Sequence, residues 1–495
     1  MRDQAQLICY VDRFAGGFGP LADLLEGPLA GAFGGVHLLP FFDPIDGADA
    51  GFDPADHRVV DPRLGTWDDV RRVGEVVPVM ADLIVNHVSS SSPQFQDWLA
   101  HGGASAYDGM FLTLDAVFPD GVDEAGLTAI YRPRPWVPLT TVQHADRRKR
   151  LVWTTFTSEQ IDLDVRSPQA TAYLDGILDT FAANGIRMVR LDAVGYAVKT
   201  PGTSSFMTPE TFAFIEELSG RAHARGLEIL VEVHSYWQRQ VEIAARVDHV
   251  YDFALPPLVL HALYTGTSDR LERWCAIRPR NAVTVLDTHD GIGVIDVGPD
   301  QSDIAHLGLL DEDEIDELVA GIHEHSQGAS QLATGTAASN LDVYQVNCTF
   351  YDALGGDEDP YLLARLIQVF LPGVPQIYYV GLLAGHNDVA LLQRTGVGRD
   401  INRHHYTAEE RSAALERPVV RRLLALLRFR NTHPAFGGEW SLLDSAAGEL
   451  RMRWEAGDDA VELRADLVAG RGEVVVSSAA GVTHVTDLLE LPGMD

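Results

Sequence analysis

Three carboxylates close three apolar runs in the middle of this chain. Gly185-Ile-Arg-Met-Val-Arg-Leu ends in Asp192. After a helix-like stretch broken by Gly226, Leu-Glu-Ile-Leu-Val ends in Glu232, with His234 two residues on. Residues 282–286 run straight into Asp287-Thr288-His289-Asp290. Short apolar runs closed by charge and separated by helix-prone segments have the rhythm of a parallel βα barrel, whose chemistry sits at the strand C-termini. Two carboxyl groups on neighbouring strand ends suit glycosyl chemistry, since a retaining reaction needs a nucleophile and an acid/base about 5 to 5.5 Å apart. The plainer reading makes Asp192 and Glu232 strand caps or partners of Arg190. A third acidic strand end at Asp290 weighs against it.

Positioning those groups requires five more strands, and the chain offers apolar runs for them at 6–11, 36–42, 79–85, 249–254 and 374–380. The expected fold is therefore α/β, a (β/α)8 TIM barrel. The βα rhythm stops at 86–165 and again at 292–354, giving inserted segments after strands three and seven. The barrel itself occupies 1–85, 166–291 and 355–435. Alternating runs such as 450–454 and the apolar 474–476 predict a small β domain over 436–495.

At 495 residues the chain exceeds a minimal barrel and can bury a large core. Its 38 basic and 71 acidic residues leave a net charge of −33, which disfavours nucleic acid and anionic membranes as partners. An anionic substrate would need a local positive pocket. No apolar run approaches the roughly 18 residues of a membrane span. The first residues carry no basic, long-apolar and cleavage pattern, and Cys9, Cys275 and Cys348 have no metal-ligand spacing, so a cytoplasmic protein is expected. With Lys149 and Lys199 as the two lysines, basic work falls to arginine and histidine.

Several loops carry candidate contacts. Residues 43–53 mix acidic and aromatic side chains suited to a sugar face, and the third strand ends in Asn86-His87. Prolines on either side of Arg134 stiffen its backbone, which suits presenting a guanidinium to an anion. The acidic run 311–317 reads as a solvated helix start, and 338–345 as a loop dense in hydrogen-bonding groups. Arg399 is the first guanidinium of the run after strand eight.

The strings DLIVNH at 82–87, RLD at 190–192, Glu232 and HD at 289–290 resemble the α-amylase superfamily of glycoside-active barrels. Within it the chain is similar to the sucrose phosphorylases, through GFDP at 51–54, IYRPRP at 130–135, EVHSYW at 232–237, LDTHDGIGV at 286–294, SNLDVYQVN at 339–347 and GRDINRHHY at 398–406. That resemblance implies Asp192 as nucleophile, Glu232 as general acid/base, and Asp290 as the holder of the sugar's 2- and 3-hydroxyls. It implies a glucosyl site of Asp49, Phe52, His87, Phe156, Arg190, His289 and Arg399, and acceptor contacts from Tyr131, Arg134, Asp342 and Gln345. By the same similarity, Arg134, Tyr196, His234 and Tyr344 are the groups for phosphate. Sucrose, inorganic phosphate, glucose 1-phosphate and fructose are the implied substrates and products, with no cofactor, no required metal, and a homodimeric assembly. The rival readings are a phosphorylase of glucosylglycerol or of sucrose 6'-phosphate, against which Tyr344 speaks, a sucrose hydrolase, and a non-catalytic amylase-like subunit. The last predicts a lost carboxylate or an added membrane segment, and the sequence shows neither.

Overall fold

The computed structural model describes residues 3–47, 49–134, 136–300, 305–333 and 345–492. Eight parallel strands close a barrel in chain order: β1 (Gln6–Cys9), β2 (Gly35–Leu38), β3 (Val79–Ile84), β4 (Ile186–Asp192), β5 (Glu228–Val231), β6 (His249–Asp252), β7 (Ala282–Thr284) and β8 (Val374–Tyr378). The expected barrel is present. Most of its strands end earlier than their apolar runs, because the chain stays buried after it leaves the ladder. Leu39, Val85, Phe253, Leu286 and Val380 all lie beyond the last paired residue and remain inside.

Helices pack outside the strands, and their ends are written locally. Pro168–Ala183 starts at Ser167, whose hydroxyl accepts from the N–H of Ala170, and Pro209–His223 starts at Thr208 in the same way. Each has proline in its first turn, where no intrahelical N–H bond is lost. Gly185 (φ 81°) and Gly226 (φ 74°) then turn the chain through the left-handed region into β4 and β5. Along β4 the two-residue period sends Met188, Arg190 and Asp192 into the barrel and Val189 and Leu191 toward the helices. Met80, Met188, Leu230, Tyr251, Val283 and Val374 pack as the apolar plug beneath the mouth.

Between β3 and Pro168 the chain forms a separate lobe. His87–Ser89 pairs with Gln160–Asp162, and Leu139–Gln143 pairs with Lys149–Trp153, over a small core of Leu112, Val117, Ile130 and Trp153. After β7, a two-residue strand at Ile292–Gly293 pairs with Gln345–Val346, and the acidic run opens the helix Glu312–His325 through a capping box between Asp311 and Glu314. The C-terminal segment is a five-stranded antiparallel meander, and Trp454 donates to the Phe370 carbonyl at 2.7 Å to dock it on a barrel helix.

One buried cation ties the first lobe to the barrel. The Lys199 ammonium, 2% exposed, lies 2.6 Å from Asp162 of the lobe, donates to Asn86 Oδ1 at 2.7 Å, and reaches the Tyr196 carbonyl. Thr155 completes the shell by donating to Asp162 through its amide and hydroxyl. Removing one member of such a pair leaves the other charged in a dry site. Lys199→Met is expected to cost about 3–5 kcal/mol of stability in urea unfolding; a loss under about 1 kcal/mol, the range of a surface pair, would show that this cluster does not anchor the lobe.

Candidate active site

The barrel mouth holds a cavity into which the ends of several strands open. Its floor is built from strand ends. The β3–β4 register sets Arg190 beside Asp82 and Asp192 beside Ile84. Arg190 is 2% exposed and donates to Asp82 at 2.5 Å and to Asp192 at 2.8 Å, while its nearest approach to Glu232 is 4.0 Å. Ala193 takes φ 53°, an uncommon left-handed turn for a residue with a Cβ, and its N–H bonds Glu232 Oε2 at 3.2 Å.

Burial raises the proton affinity of Asp192, Arg190 opposes it, and the neighbouring Glu232 adds to it. Two carboxyl groups in one dry pocket ionise as a pair. Arg190 touches Asp192 directly, at 2.8 Å, and comes no nearer than 4.0 Å to Glu232, so its positive charge bears first on Asp192.

Asp290 is held differently. Arg399 lies 3.0 Å and Arg403 3.7 Å from its Oδ1, and both guanidiniums also approach Asp49, at 3.7 and 3.9 Å. Burial disfavours ionisation of Asp290, but Arg399, His289 and Arg403 outweigh it and keep the carboxyl far below its usual range. It is a permanent acceptor. His289 is driven well below its ordinary value, chiefly by burial, so it stands there as a neutral imidazole stacked on Phe52 at 4.7 Å. His87 Nε2–H donates to the Phe52 carbonyl at 3.0 Å, fixing the loop that brings Asp49 and Phe52 to the wall.

The opposite wall comes from the lobe after β3. Arg134 lies over the Phe156 ring at 5.6 Å, and Phe156 meets Tyr196 edge-on at 5.2 Å. Of the residues expected at the site, the cavity wall contains Asp49, Phe52, His87, Arg134, Phe156, Asp192, Tyr196, Glu232, His234, His289, Asp290, Gln345 and Arg399. Arg190 supports the floor from below. Tyr131 stands one layer back, stacked on Tyr196 at 6.2 Å. Asp342 and Tyr344 lie outside the described residues. Sequence reasoning passed over Gln160, which lines the wall, and Arg403, although Arg403 stands in the same GRDINRHHY string that pointed to Arg399. It also missed Asp296, which bonds His234. Oxygen and nitrogen atoms of Glu232, His234 and Asp290 lie within 4.8 Å of one another, close enough for a cation, but guanidinium ions already neutralise Asp290.

Fold and floor together define a glycoside-active barrel with an acid pair and a third, fixed carboxylate. Residues 32–251 match the family described as alpha amylase, catalytic domain. The chain is 55% identical to a sucrose phosphorylase of Agrobacterium vitis, with 98% of this chain and 99% of that protein covered. It is 53% identical to a sucrose phosphorylase of Bifidobacterium adolescentis over 92% and 90% of the two chains. The crystal structure of sucrose 6F-phosphate phosphorylase from Thermoanaerobacter thermosaccharolyticum superposes with a TM-score of 0.90 at 38% identity, covering 98% of each chain. The chain therefore belongs to the α-amylase superfamily and, within it, to the sucrose phosphorylase family.

The buried ion pair under the floor has a pH signature. Burial works against ionisation of Asp82, but His37 and Arg190 outweigh it and bring its carboxyl from 3.8 to about 2. A depressed acid stabilises the fold fully above its unfolded value and loses that contribution as pH falls through the folded one. Over that window the loss amounts to about 2 kcal/mol. Denaturant midpoints of the wild-type protein should therefore decline below about pH 4, and Asp82→Asn should show a shallower decline from a lower starting stability. Equal slopes would mean that Asp82 does not carry this charge.

Proposed function

We propose that this chain catalyses the reversible phosphorolysis of sucrose to α-D-glucose 1-phosphate and D-fructose by a retaining double displacement. The observation that carries the reading is the convergence of Asp192, Glu232 and Asp290 on one cavity that also presents Arg134 and His234. The ionised Asp192 attacks the anomeric carbon as its bond to the fructosyl oxygen breaks, and Glu232 gives that oxygen its proton. A β-glucosyl ester on Asp192 results. Asp290, kept ionised by Arg399 and Arg403, accepts hydrogen bonds from the 2- and 3-hydroxyls.

A phosphate oxygen then forms the new bond to the anomeric carbon. The ester bond breaks, and its electron pair returns to the Asp192 carboxylate. Two inversions restore the α configuration. Phosphate is already a competent anion, so this step depends less on a base than on a pocket that offsets its desolvation and excludes water. Arg134 and His234 supply cationic groups there, and Tyr196, Gln345, Asp342 and Tyr344 belong to the same acceptor side in this reading. Asp49, Phe52, His87, Phe156, Arg190 and His289 surround the glucosyl unit, and Tyr131 supports the acceptor wall through Tyr196.

The segment 86–165 is read as a functional insert because it brings Arg134 and Phe156 to the wall, and 292–354 because it brings Gln345. Among the described residues, none of the β domain at 436–495 lines the cavity. The three cysteines are free and buried, which supports a reducing compartment and hence the cytoplasm, and among the described residues no helix is long and apolar enough to cross a membrane. Family resemblance supports a homodimer, which light scattering on the purified protein tests.

Incubation with sucrose, with and without inorganic phosphate, should yield α-glucose 1-phosphate and fructose only when phosphate is present. Equal glucose release in both would make the enzyme a hydrolase, and no reaction would turn the search to glucosylglycerol and sucrose 6'-phosphate. Asp192→Ala should lower turnover by roughly 10⁴-fold or more, as loss of a covalent nucleophile does; full activity would refute the ester. Glu232→Gln should slow glucosylation most for donors with poor leaving groups, and an equal loss with activated donors would remove it from the acid role.

A further inference from the structure

His234 is held more firmly than a loop histidine needs to be. Its ring stacks flat on Phe253 at 3.8 Å between centroids and 16° between planes, which fixes the plane of the imidazole. Its Nδ1 lies 2.8 Å from Oδ2 of Asp296, a fully buried carboxylate. The other oxygen of Asp296 accepts from the Ser235 amide at 3.1 Å and from Gln240 Nε2 at 2.8 Å. Packing keeps the pair closed: a Cβ at Gly293 would fall 2.3 Å from Asp296 and 3.3 Å from His234 Nδ1. With Nδ1 committed to Asp296, the Nε2 edge faces the cavity, 3.8 Å from Glu232 Oε1 and 3.3 Å from the Gln345 side chain.

Burial raises the proton affinity of Asp296, but three donors converge on its oxygens and oppose that, while the His234 ring beside it is shifted up as well, which favours the shared proton on His234. Burial alone would lower the imidazole, but Asp296 and Glu232 overturn that and hold it above its ordinary value. Among the described residues, the acidic groups beside the ring act in the same direction: Glu232 from the end of β5, and Asp290 and Asp296 from the segment after β7, while Arg134 and Arg399 line the same cavity. Phe253 and Gln345 contribute no charge.

Granting the phosphorolytic reading above, the consequence falls on the second half-reaction. Once the leaving fructose has taken the proton of Glu232, phosphate must enter beside a carboxylate. Arg399 is occupied by Asp290 and Asp49. Water, the competing acceptor, carries no charge and needs no such counter-ion. We infer that Asp296 is a positioning residue that keeps His234 a doubly protonated, fixed cation, and thereby sets the preference of the glucosyl ester for phosphate over water. His234 donates a hydrogen bond to the entering phosphate and keeps its proton throughout.

Asp296→Asn retains the shape and removes the charge. With sucrose as donor and a fixed, subsaturating phosphate concentration, the ratio of glucose 1-phosphate to glucose should fall about 10–100-fold, the usual penalty for losing the partner that orients a buried histidine. The alkaline limb of kcat/KM for phosphate should move to lower pH, because a histidine without its carboxylate loses its proton earlier; phosphate's own titration is common to both enzymes. Asp296→Glu should recover part of the ratio. An unchanged ratio and pH limb in a folded Asp296→Asn enzyme would overturn the inference. Should that variant not fold, the wild-type protein decides: ¹⁵N imidazole NMR should find both nitrogens of His234 protonated at neutral pH, and a neutral ring would overturn the inference. Wild-type enzyme that forms no glucose 1-phosphate would instead refute the phosphorolytic reading, and the protonation of His234 would still be read by NMR.

Discussion

The site rests on one guanidinium buried inside a barrel. Arg190 sits at a position that the β4 period turns inward, 2% exposed, and it can be ionised there only because two carboxylates meet it. Asp82 receives a second partner in His37, whose Nε2 lies 3.0 Å away, and the polar layer runs on to Tyr251, which donates to Gln376 at 3.1 Å. The apolar plug below and the polar layer above divide the barrel interior into a part that holds the fold and a part that holds charge. Asp192 meets that layer through Arg190, the cation that opposes the effect of burial on its carboxyl.

Chain topology explains what could be read beforehand. The strand ends were legible because each joins a local apolar run to a local carboxylate, and the helix starts at Ser167-Pro168 and Thr208-Pro209 are equally local. Strand lengths were not, since apolar residues continue past the ladder into buried turns, where hydrophobicity no longer reports pairing. The contacts that complete the site join distant segments. Asp296 reaches His234 across 62 residues, and Lys199 reaches Asn86 across 113. Nothing in the spacing of such residues reveals their partners, because the closure of the barrel makes them neighbours. Arg403 is an intermediate case: its string was visible, but only the fold shows that it enters the mouth and Arg399 does not act alone.

The overall acidity of −33 and the chemistry of the mouth pull in opposite directions. A surface of that sign repels anions at long range, with screening over about 8 Å at physiological salt. Attraction for an anionic acceptor has to come from groups inside that distance. The fold meets this with arginines drawn from separate segments: Arg134 from the lobe after β3, and Arg399 and Arg403 from the stretch after β8. The last two are matched to Asp290 and Asp49, which leaves the acceptor side to Arg134 and His234.

This allocation explains why the two walls are built so differently. Around Asp290, Arg399 and Arg403 hold the carboxyl far below its usual range and burial drives His289 down, so neither changes its ionisation near neutral pH. Under the proposed phosphorolysis, the acceptor side serves a neutral ketose in one half-reaction and a phosphate in the other. A guanidinium is charged whatever its neighbours, but whether an imidazole is charged near neutral pH depends on its partners. On the inference above, a histidine there makes acceptor affinity depend on a residue that never touches the acceptor, Asp296, which is itself buried and met by three donors.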